Sequence, residues 1–519
     1  MDDPIVHPGI DITPFVWLLV AASIVAMLAR RIRVPYALAL VITGLLIGVP
    51  HLLPQTHLEP HTLFTVFLPP LLFESALNLR LDALRRNWKP ITLFALGGTL
   101  VSTAVVGGLS AWLLKLPLPV ALVFGAMISP TDPISVIAVF KRLGVGKRLS
   151  LLVEGESLFN DGVAVVIFTV LLAAATPGGT LSATVALQQF LLVVLGGAGL
   201  GLAIGLLMSR VTKYFDDHLL EIMLTTIVAF GAFLVAESIH VSGVIAVVVA
   251  GLVVGNYGME TGMSPTTRLA VSSFWEYMAF AANSIVFLLV GLEVTYLHLW
   301  KQAGPIGIAI VIVLAARAAS VYGLAPLGNA IGSRVSLRNQ HVFFWGGLRG
   351  ALSMALALGL SMSFPHRDFL VMLTFGVVLF SLLVQGLTIE SLLRALRLTE
   401  QPKTAEYHRL TGELLGVRAG LVELAQLRDQ GAAAPQVCEA VEQEFQQRVE
   451  RISAQIAQLH LSNETLFHQQ VDEVRRRALL AEKSALQTSA REGVIAAEDL
   501  HPLEEKIDAQ LAEIDCRAE

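Results

Sequence analysis

The sequence predicts an all-α membrane protein of about thirteen transmembrane helices, followed by a cytoplasmic helical domain. Of its 519 residues, 55% are hydrophobic and 15% are charged, whereas soluble domains carry about 25% charged residues. The charged side chains are also unevenly distributed, with 43 in the first 400 positions and 34 in the last 119. We therefore expect a transmembrane domain at residues 10–398 and a water-soluble tail at residues 399–519.

The individual spans follow from length. A hydrocarbon core about 30 Å thick needs about 20 apolar residues of helix, and charge clusters and Pro- or Gly-containing turns divide the first domain into thirteen such segments. These are residues 14–29, 34–50, 62–79, 90–114, 119–140, 150–175, 187–210, 217–239, 242–257, 271–296, 304–330, 339–363 and 367–393. No basic region or evident cleavage site accompanies the first segment, so we expect it to remain as a membrane helix.

The basic residues in the connecting loops predict the orientation, because cytoplasmic loops carry an excess of Lys and Arg. One set of alternate loops holds sixteen of these residues, and the opposite set holds only Lys115, Lys301 and Arg367. The asymmetry predicts an external N-terminus, a cytoplasmic tail and an odd number of spans. A cell inner or plasma membrane is the expected location.

The tail has apolar residues at helical spacing and charges on the other faces. The apolar series is Phe445, Val449, Ile452, Ile456 and Leu459. One interpretation is a solvated helical bundle that helps assembly, and the other is a regulatory domain that senses pH or an unknown ligand. Both cysteines of the chain lie in this tail, so the spans have no disulfide framework or cysteine metal cluster.

Ionisable residues inside the spans are the candidate functional residues, because each costs roughly 2.5 to 3.5 kcal/mol to insert and such residues usually mark an ion or proton path. They are Glu74, Asp132, Glu156, Asp161, Arg317 and Arg349. Glu154, Glu276 and Glu293 lie closer to predicted span ends, where water reaches them, so we rank these three lower.

Two spans are interrupted at their middle. In the fifth span, prolines flank Thr131 and Asp132, and in the twelfth, glycines surround Arg349. Paired interruptions in corresponding positions of two halves indicate a transporter binding site. A single interruption could be a simple kink, but two that each carry an ionisable residue favour a site. The freed backbone carbonyls are candidate ligands for a hard cation such as sodium.

The sixth span adds a carboxylate deep in apolar sequence. Residues four apart share a helix face, so Glu156 with Asn160 and Ser157 with Asp161 form one polar strip. A desolvated carboxylate at Asp161 can hold a proton or a cation but not easily both, and this exclusion is the basis of an exchange mechanism.

The neighbouring charges need compensation, because an unpaired buried ion is costly. We expect Glu156 to pair with Arg317, which would leave Asp161 free to titrate. Pairing of Glu156 with Arg349 is the open alternative. Asp132 could also act as a cap for the broken helix.

Four segments in this order resemble the monovalent cation/proton antiporters of the NhaP and sodium/proton exchanger type, over about residues 10–396. The segments are 129–133 (SPTDP), 155–161 (GESLFND), 283–292 (NSIVFLLVGL) and 347–351 (GLRGA). The resemblance implies two inverted six-helix repeats with crossed broken helices, a homodimer with a dimerisation domain, and elevator-like movement of a core domain. The long tail lies outside the pattern.

The resemblance also assigns roles to residues. Asp161 looks like the cation- and proton-binding aspartate, with Asn160 as its Asn-Asp partner. Thr131, Asp132 and Ser157 resemble supporting ligands of the bound Na⁺, and Glu74 a secondary acid. Family members with Asn before the key aspartate are generally electroneutral, so Asn160 implies exchange of one cation for one proton.

The predicted function is thus exchange of Na⁺, with Li⁺ or K⁺ as further candidates, for H⁺, without enzymatic activity, a cofactor or a nucleic-acid partner. The alternatives are a K⁺ or Na⁺/H⁺ antiporter gated by a ligand on the tail, a passive cation channel, and a receptor whose helices anchor a sensor. Gly197, Gly201 and Gly205 predict a helix-packing face, with membrane lipid around it and the dimer interface as its candidate partner.

Overall fold

A computed structural model describes residues 13–32, 36–48, 60–175, 183–214, 217–293, 302–330, 335–399, 402–430, 434–461, 464–491 and 497–518. Regular structure in these ranges is helical throughout. The chain divides into two compact units, Met1–Thr399 and Glu400–Glu519. Arg33, Lys301 and Arg334, which contributed to the predicted orientation, lie outside the described residues.

The first unit contains two runs of helices. Before residue 176 these are α1 (Thr13–Ile32), α2 (Tyr36–Gly48), α3 (Pro60–Asn78), α4 (Leu81–Arg86), α5 (Trp88–Leu113), α6 (Leu118–Ile128), α7 (Ile134–Leu143) and α8 (Lys147–Ala175). The others are α9 (Ala183–Val211), α10 (His218–Ser238), α11 (Gly243–Gly262), α12 (Pro265–Glu293), α13 (Ala303–Ala330), α14 (Leu337–Trp345), α15 (Ala351–Leu358) and α16 (Arg367–Ala395).

The predicted segments correspond to these helices, and the two interrupted spans are each a pair of short helices. The fifth is α6 and α7, separated by residues 129–133, and the twelfth is α14 and α15, separated by residues 346–350. Seven helices in the described ranges are long and apolar enough to cross a membrane by themselves. The all-helical fold is as predicted, while the number of crossings and their orientation stay predictions.

Local chemistry explains where the short helices begin and end. The backbone before α6 is proline-constrained, with Pro117 as the residue before the helix and Pro119 in its first turn, where the missing N–H costs no hydrogen bond. α7 ends at Gly144, whose φ of 65° is the left-handed conformation that glycine adopts without strain. Lys141 and Arg142 lie in the last turn of α7, the end that favours cations.

The helices of the first unit form two bundles. In one, which we call the scaffold bundle, α1, α2, α3, α9, α10, α11 and α12 pack mainly on one another. In the other, the core bundle, α5, α6, α7, α8, α13, α14, α15 and α16 do so. The core bundle contains both broken helices.

Glycines permit the closest crossings within the scaffold bundle. A Cβ on Gly44 of α2 would lie 2.3 Å from the Leu288 carbonyl oxygen of α12, and one on Gly201 of α9 would lie 2.3 Å from the Ala246 carbonyl oxygen of α11. Gly197 likewise faces the Ser242 carbonyl. The prediction of a helix-packing face is confirmed, but the partner of this face is α11 of the same chain, which corrects its assignment to a dimer interface.

The second unit has four helices, α17 (Pro402–Asp429), α18 (Pro435–Leu461), α19 (Glu464–Arg491) and α20 (Ala497–Ala518). The apolar stripe predicted from Phe445 to Leu459 packs with Leu410 and Val417 in one apolar cluster. Leu479 and Ile507 form the centre of another. These clusters fit a helical bundle and a sensor equally, so the role of the tail stays a prediction.

Candidate functional site

The two broken helices meet at their breaks. The Asp132 backbone N–H donates to the Leu348 carbonyl at 2.8 Å, which joins segments 129–133 and 346–350. A Cβ on Gly350 would lie 2.3 Å from the Cβ of Asp132 and 2.8 Å from its Oδ2 atom. Glycine at position 350 therefore permits the contact between the crossing segments.

Arg349 fills the carbonyl end of α6. Its guanidinium is buried, and Nη1 donates to the carbonyls of Ser129 and Pro130. The C-terminal end of a helix carries partial negative charge, so this cation is placed where the free carbonyls gather. The backbone N–H of Arg349 donates to the Ser381 hydroxyl at 3.1 Å. Ser381 begins a π-helical turn within α16, Ser381–Gln385.

These contacts amend one expectation about the break. The freed carbonyls were candidate cation ligands, but those of Ser129 and Pro130 accept from Arg349, and that of Thr131 accepts from the Ser157 hydroxyl. The charged guanidinium performs the compensation that a bound cation would otherwise provide. Side chains with oxygen atoms line the cavity beside the break, among them Thr131, Asp132, Ser157 and Asp161.

Asp132 contacts both halves of the crossing. Its Oδ1 atom accepts from the Ile134 N–H at 2.9 Å and so satisfies one free donor of the first turn of α7, from the position before the N-cap residue Pro133. The capping role considered from sequence is thus present. The residue also lines the cavity described below, so capping does not remove it from the site.

Asn160 braces the break from α8. Its Nδ2 atom donates to the Ser129 carbonyl at 3.1 Å and to the Thr131 hydroxyl at 3.3 Å, and its Oδ1 atom accepts from the Thr99 hydroxyl at 2.8 Å. Asn160 is buried and is not among the cavity-lining residues. The structure therefore gives this amide a bracing role at the break, while its role in binding a cation or proton stays a prediction. Thr99 could not be singled out from the sequence, because hydroxyls are common in apolar helices.

Asp161 faces the cavity with an oxygen that lacks a partner. The Thr131 backbone N–H donates to its carboxylate, while the buried Oδ1 atom has no hydrogen-bond partner among the described residues. The Thr131 and Ser157 hydroxyls lie 3.2 Å apart on the same cavity wall. Carboxylate and hydroxyl oxygens are donors that suit a hard cation.

Glu156 and Arg317 form a buried ion pair behind this wall. The Arg317 Nη1 and Nη2 atoms donate to Glu156 at 2.8 and 3.3 Å, and Nε and Nη2 also donate to the Phe343 carbonyl at 3.1 and 2.9 Å. Of the two pairings left open by the sequence, the structure has this one. Neither side chain lines the cavity, so the pair joins α8 to α13 without facing the cavity.

A cavity of about 670 Å³ connects Asp161, Asp132, Thr131 and Ser157 to the surface. Residues of α2, α3 and α12 line it from the scaffold bundle, and residues of α7, α8, α15 and the first break line it from the core bundle. Its polar and charged lining residues are Tyr36, Glu74, Ser75, Asn78, Thr131, Asp132, Lys141, Glu154, Ser157, Asp161, Ser272, Glu276 and Asn283. Among the predicted residues, Asp161, Asp132, Thr131, Ser157 and Glu74 therefore meet in one cavity between the bundles.

Two acids that we ranked lower also line this cavity. Glu154 precedes Asp161 by seven residues and so lies on the same face of α8, and Glu276 is contributed by α12. The spacing of Glu154 from Asp161 was a usable signal, because residues seven apart on a helix are almost aligned. The side chain of Glu293 lies outside the described residues. Glu74 accepts from the Asn78 amide at 2.9 Å.

Crossed broken helices beside a cavity-facing carboxylate, inside an apolar helical protein, define the class of ion-coupled membrane transporters. The family model for the transmembrane sodium/hydrogen exchanger matches residues 18–395. The chain belongs to this sodium/hydrogen exchanger family.

Similar proteins cover the chain to different extents. The Na⁺/H⁺ antiporter NhaG of Bacillus atrophaeus is 39% identical over 497 residues, covering 93% of this chain and 94% of its own length. The Na⁺/H⁺ antiporter ApNhaP of Aphanothece halophytica is 44% identical over 367 residues, 70% of each chain. The alignment with NhaG covers 93% of this chain, which is more than the unit Met1–Thr399 contains. The similarity therefore extends into the tail, which we expected to lie outside the family resemblance.

A solved structure has the same fold. The sodium proton antiporter MjNhaP1 of Methanocaldococcus jannaschii superimposes with a TM-score of 0.61 at 22% identity, over 74% of this chain and 99% of its own. The similarity supports the predicted helical architecture.

Proposed function

We propose that this protein is a secondary antiporter that exchanges Na⁺ for H⁺, with Asp161 as the residue that carries either ion. The observation that carries the proposal is the Oδ1 atom of Asp161, which lies buried without a partner among the described residues and belongs to a carboxylate at the cavity wall. A proton on this carboxylate, or a cation beside it, would satisfy that oxygen.

The surrounding charges fit a single exchangeable position. Arg317 compensates Glu156 through two hydrogen bonds, and Arg349 compensates the carbonyl end of α6. Asp132 has one oxygen engaged by the α7 backbone. Asp161 differs from Asp132 in having a buried oxygen without a partner among the described residues, and we propose that Thr131, Ser157 and Asp132 supply further oxygens for the Na⁺.

Binding at Asp161 couples the two ions. A proton and a cation compete for one carboxylate, so loading of one requires release of the other. In either loaded state the carboxylate charge is neutralised, which permits movement through a low-dielectric interface. The cavity lies between the scaffold and core bundles, and we propose that the core bundle moves along this boundary to expose the site on alternate sides.

Relatives named as Na⁺/H⁺ antiporters, at 39 and 44% identity, support sodium as the cation. Li⁺ and K⁺ remain candidates because ligand distances and cavity size, rather than ligand type, separate these ions. We further propose a homodimer in the plasma membrane, as the family resemblance implies. Its tail would lie in the cytoplasm, as the loop charges predict.

Asp161→Asn tests the proposal in proteoliposomes with an internal pH dye. An amide keeps the shape of the side chain but cannot exchange a proton, so we expect Na⁺-dependent proton movement to be abolished. Asp368→Asn is the matched control, because this carboxylate is 93% exposed. Na⁺-dependent proton movement that persists in Asp161→Asn contradicts the assignment. Dissipation of a Na⁺ gradient by the wild type without proton movement would instead favour a channel.

A further inference from the structure

One basic side chain shares the cavity with the acids. Among the described residues that line it, Lys141 is the single Lys or Arg, and it is exposed. The other basic residues of the same turn and loop, such as Arg142 and Lys147, do not line the cavity. A requirement for cytoplasmic positive charge explains all of these residues equally, so it does not explain the position of Lys141.

The position of Lys141 follows from the face that α7 presents. Ile134, Ile137, Ala138 and Lys141 all line the cavity, and their spacing is that of one helix face. Asp132 lies two residues before Ile134, the first residue of α7, and Lys141 follows Ile134 by seven residues, which is about 10 Å along the helix. A proposed cation ligand therefore lies just before the first turn of α7, and a fixed cation lies in its last turn.

The acids near Lys141 come from three other helices. Glu154 lies seven residues before Asp161 on α8, a rise of about 10 Å, while Glu74 and Glu276 come from α3 and α12. Lys141 interacts favourably with both Glu74 and Glu154, and Glu276 repels Glu74. Three carboxylates and one ammonium thus line the same cavity as Asp161.

We propose that Lys141 is a tethered competitor of the transported cation, which offsets part of the acidic field of this cavity and so sets the apparent affinity for Na⁺. The inference rests on the proposed antiport function and adds a residue that determines affinity. Glu74 and Glu154 attract a cation towards Asp161, and the Lys141 ammonium opposes that attraction. A flexible, hydrated lysine can do this without blocking the cavity.

The test compares Lys141→Gln with Lys147→Gln in proteoliposomes. Both variants remove one positive charge from the same region, but only Lys141 lines the cavity. We expect the apparent KM for Na⁺ to fall about fivefold in Lys141→Gln, as for loss of a nearby charge in a partly hydrated cavity, and to stay within twofold of the wild type in Lys147→Gln. Lys141→Arg should resemble the wild type because it keeps the charge.

Two further measurements separate an electrostatic role from a structural one. The difference in KM between Lys141→Gln and the wild type should shrink as choline chloride is added, because salt screens the field. Lys141→Gln combined with Glu154→Gln should return KM towards the wild-type value.

An unchanged KM in Lys141→Gln, or an equal shift in Lys147→Gln, overturns the inference while leaving the antiport function in place. Absence of Na⁺/H⁺ exchange by the wild-type protein would instead overturn the proposed function itself. A shift in KM that does not respond to choline chloride also contradicts a competing charge.

Discussion

Gly350 sets how closely the two breaks approach each other. A Cβ at position 350 would lie only 2.3 Å from the Cβ of Asp132, so any larger residue must push apart the two segments that carry Asp132 and Arg349. The φ of Gly350 is −130°, which other residues adopt readily, so space rather than backbone conformation requires glycine here.

Gly350→Ala should therefore impair transport. We expect the rate of Na⁺-dependent proton movement to fall at least about tenfold, because displacements near 1 Å in a preorganised site have large effects. Gly108→Ala is the control, because a Cβ at that position meets no atom within 4 Å. Equal rates for Gly350→Ala and the wild type, at equal protein content of the liposomes, would refute the close crossing.

Single residues were predictable from the sequence where an ionisable side chain lies within an apolar segment. Asp132 and Asp161 stood out because charges are rare within apolar spans, and both line the cavity. Thr99 and the bracing role of Asn160 were not predictable, because they depend on which helices are neighbours. The Thr99 hydroxyl reaches Asn160 across 61 positions of sequence.

At the scale of elements, the breaks were predictable and the π-helical turns were not. Prolines and glycines mark the two breaks in the sequence, whereas the turns Leu93–Gly97 and Ser381–Gln385 insert into continuous apolar helices without a compositional signal. In the second of these turns, the Ser381 hydroxyl accepts the backbone N–H of Arg349, which lies in the break between α14 and α15.

The ion pair that joins α8 to α13 gives a prediction at this scale. Arg317→Met leaves the 2% exposed Glu156 carboxylate without its cation, which should lower the free energy of unfolding by about 3 to 5 kcal/mol. The melting temperature in detergent measures the effect. Arg317→Met with Glu156→Gln should recover part of the loss because it removes the unpaired charge.

Arg394→Met provides the control for that experiment, because the Arg394 side chain is 64% exposed in its pair with Glu390. A pair so exposed contributes at most about 1 kcal/mol. A fall in melting temperature that is equal for Arg317→Met and Arg394→Met would contradict a structural role for the buried pair.

At the scale of the whole molecule, the division of the membrane unit into two bundles depends on pairings between distant segments. α2 packs on α12, and α5 packs on α13, and neither pairing follows from hydropathy. The apolar pattern predicted the segments, and the resemblance predicted a dimerisation domain and a core. The position of the cavity between the bundles required the structure, and it brings Glu154 and Glu276 to the same space as Asp161.

Charge balance across the whole transport cycle gives the last prediction, which is that exchange is electroneutral. The charges of Glu156 and Arg317 are paired, and Asn160 is neutral, so the two loaded states differ only in whether Asp161 holds a proton or Na⁺. If Asp161 carries both ions as proposed, both states carry the same net charge through the membrane, and we expect one cation to cross for each proton.

A net charge that crossed 100 mV would couple to about 2.3 kcal/mol, a large effect on an initial rate. We therefore expect the initial rate to be unchanged when a K⁺ gradient and valinomycin impose a potential of about 100 mV of either sign. The same K⁺ gradient without valinomycin is the control, because it separates the potential from any transport of K⁺ itself. A rate that rises with one sign of the potential and falls with the other would mean that more than one proton moves per cation. A second ionisable group would then exchange protons during the cycle, and Asp132 and Glu74 are cavity-lining candidates for it.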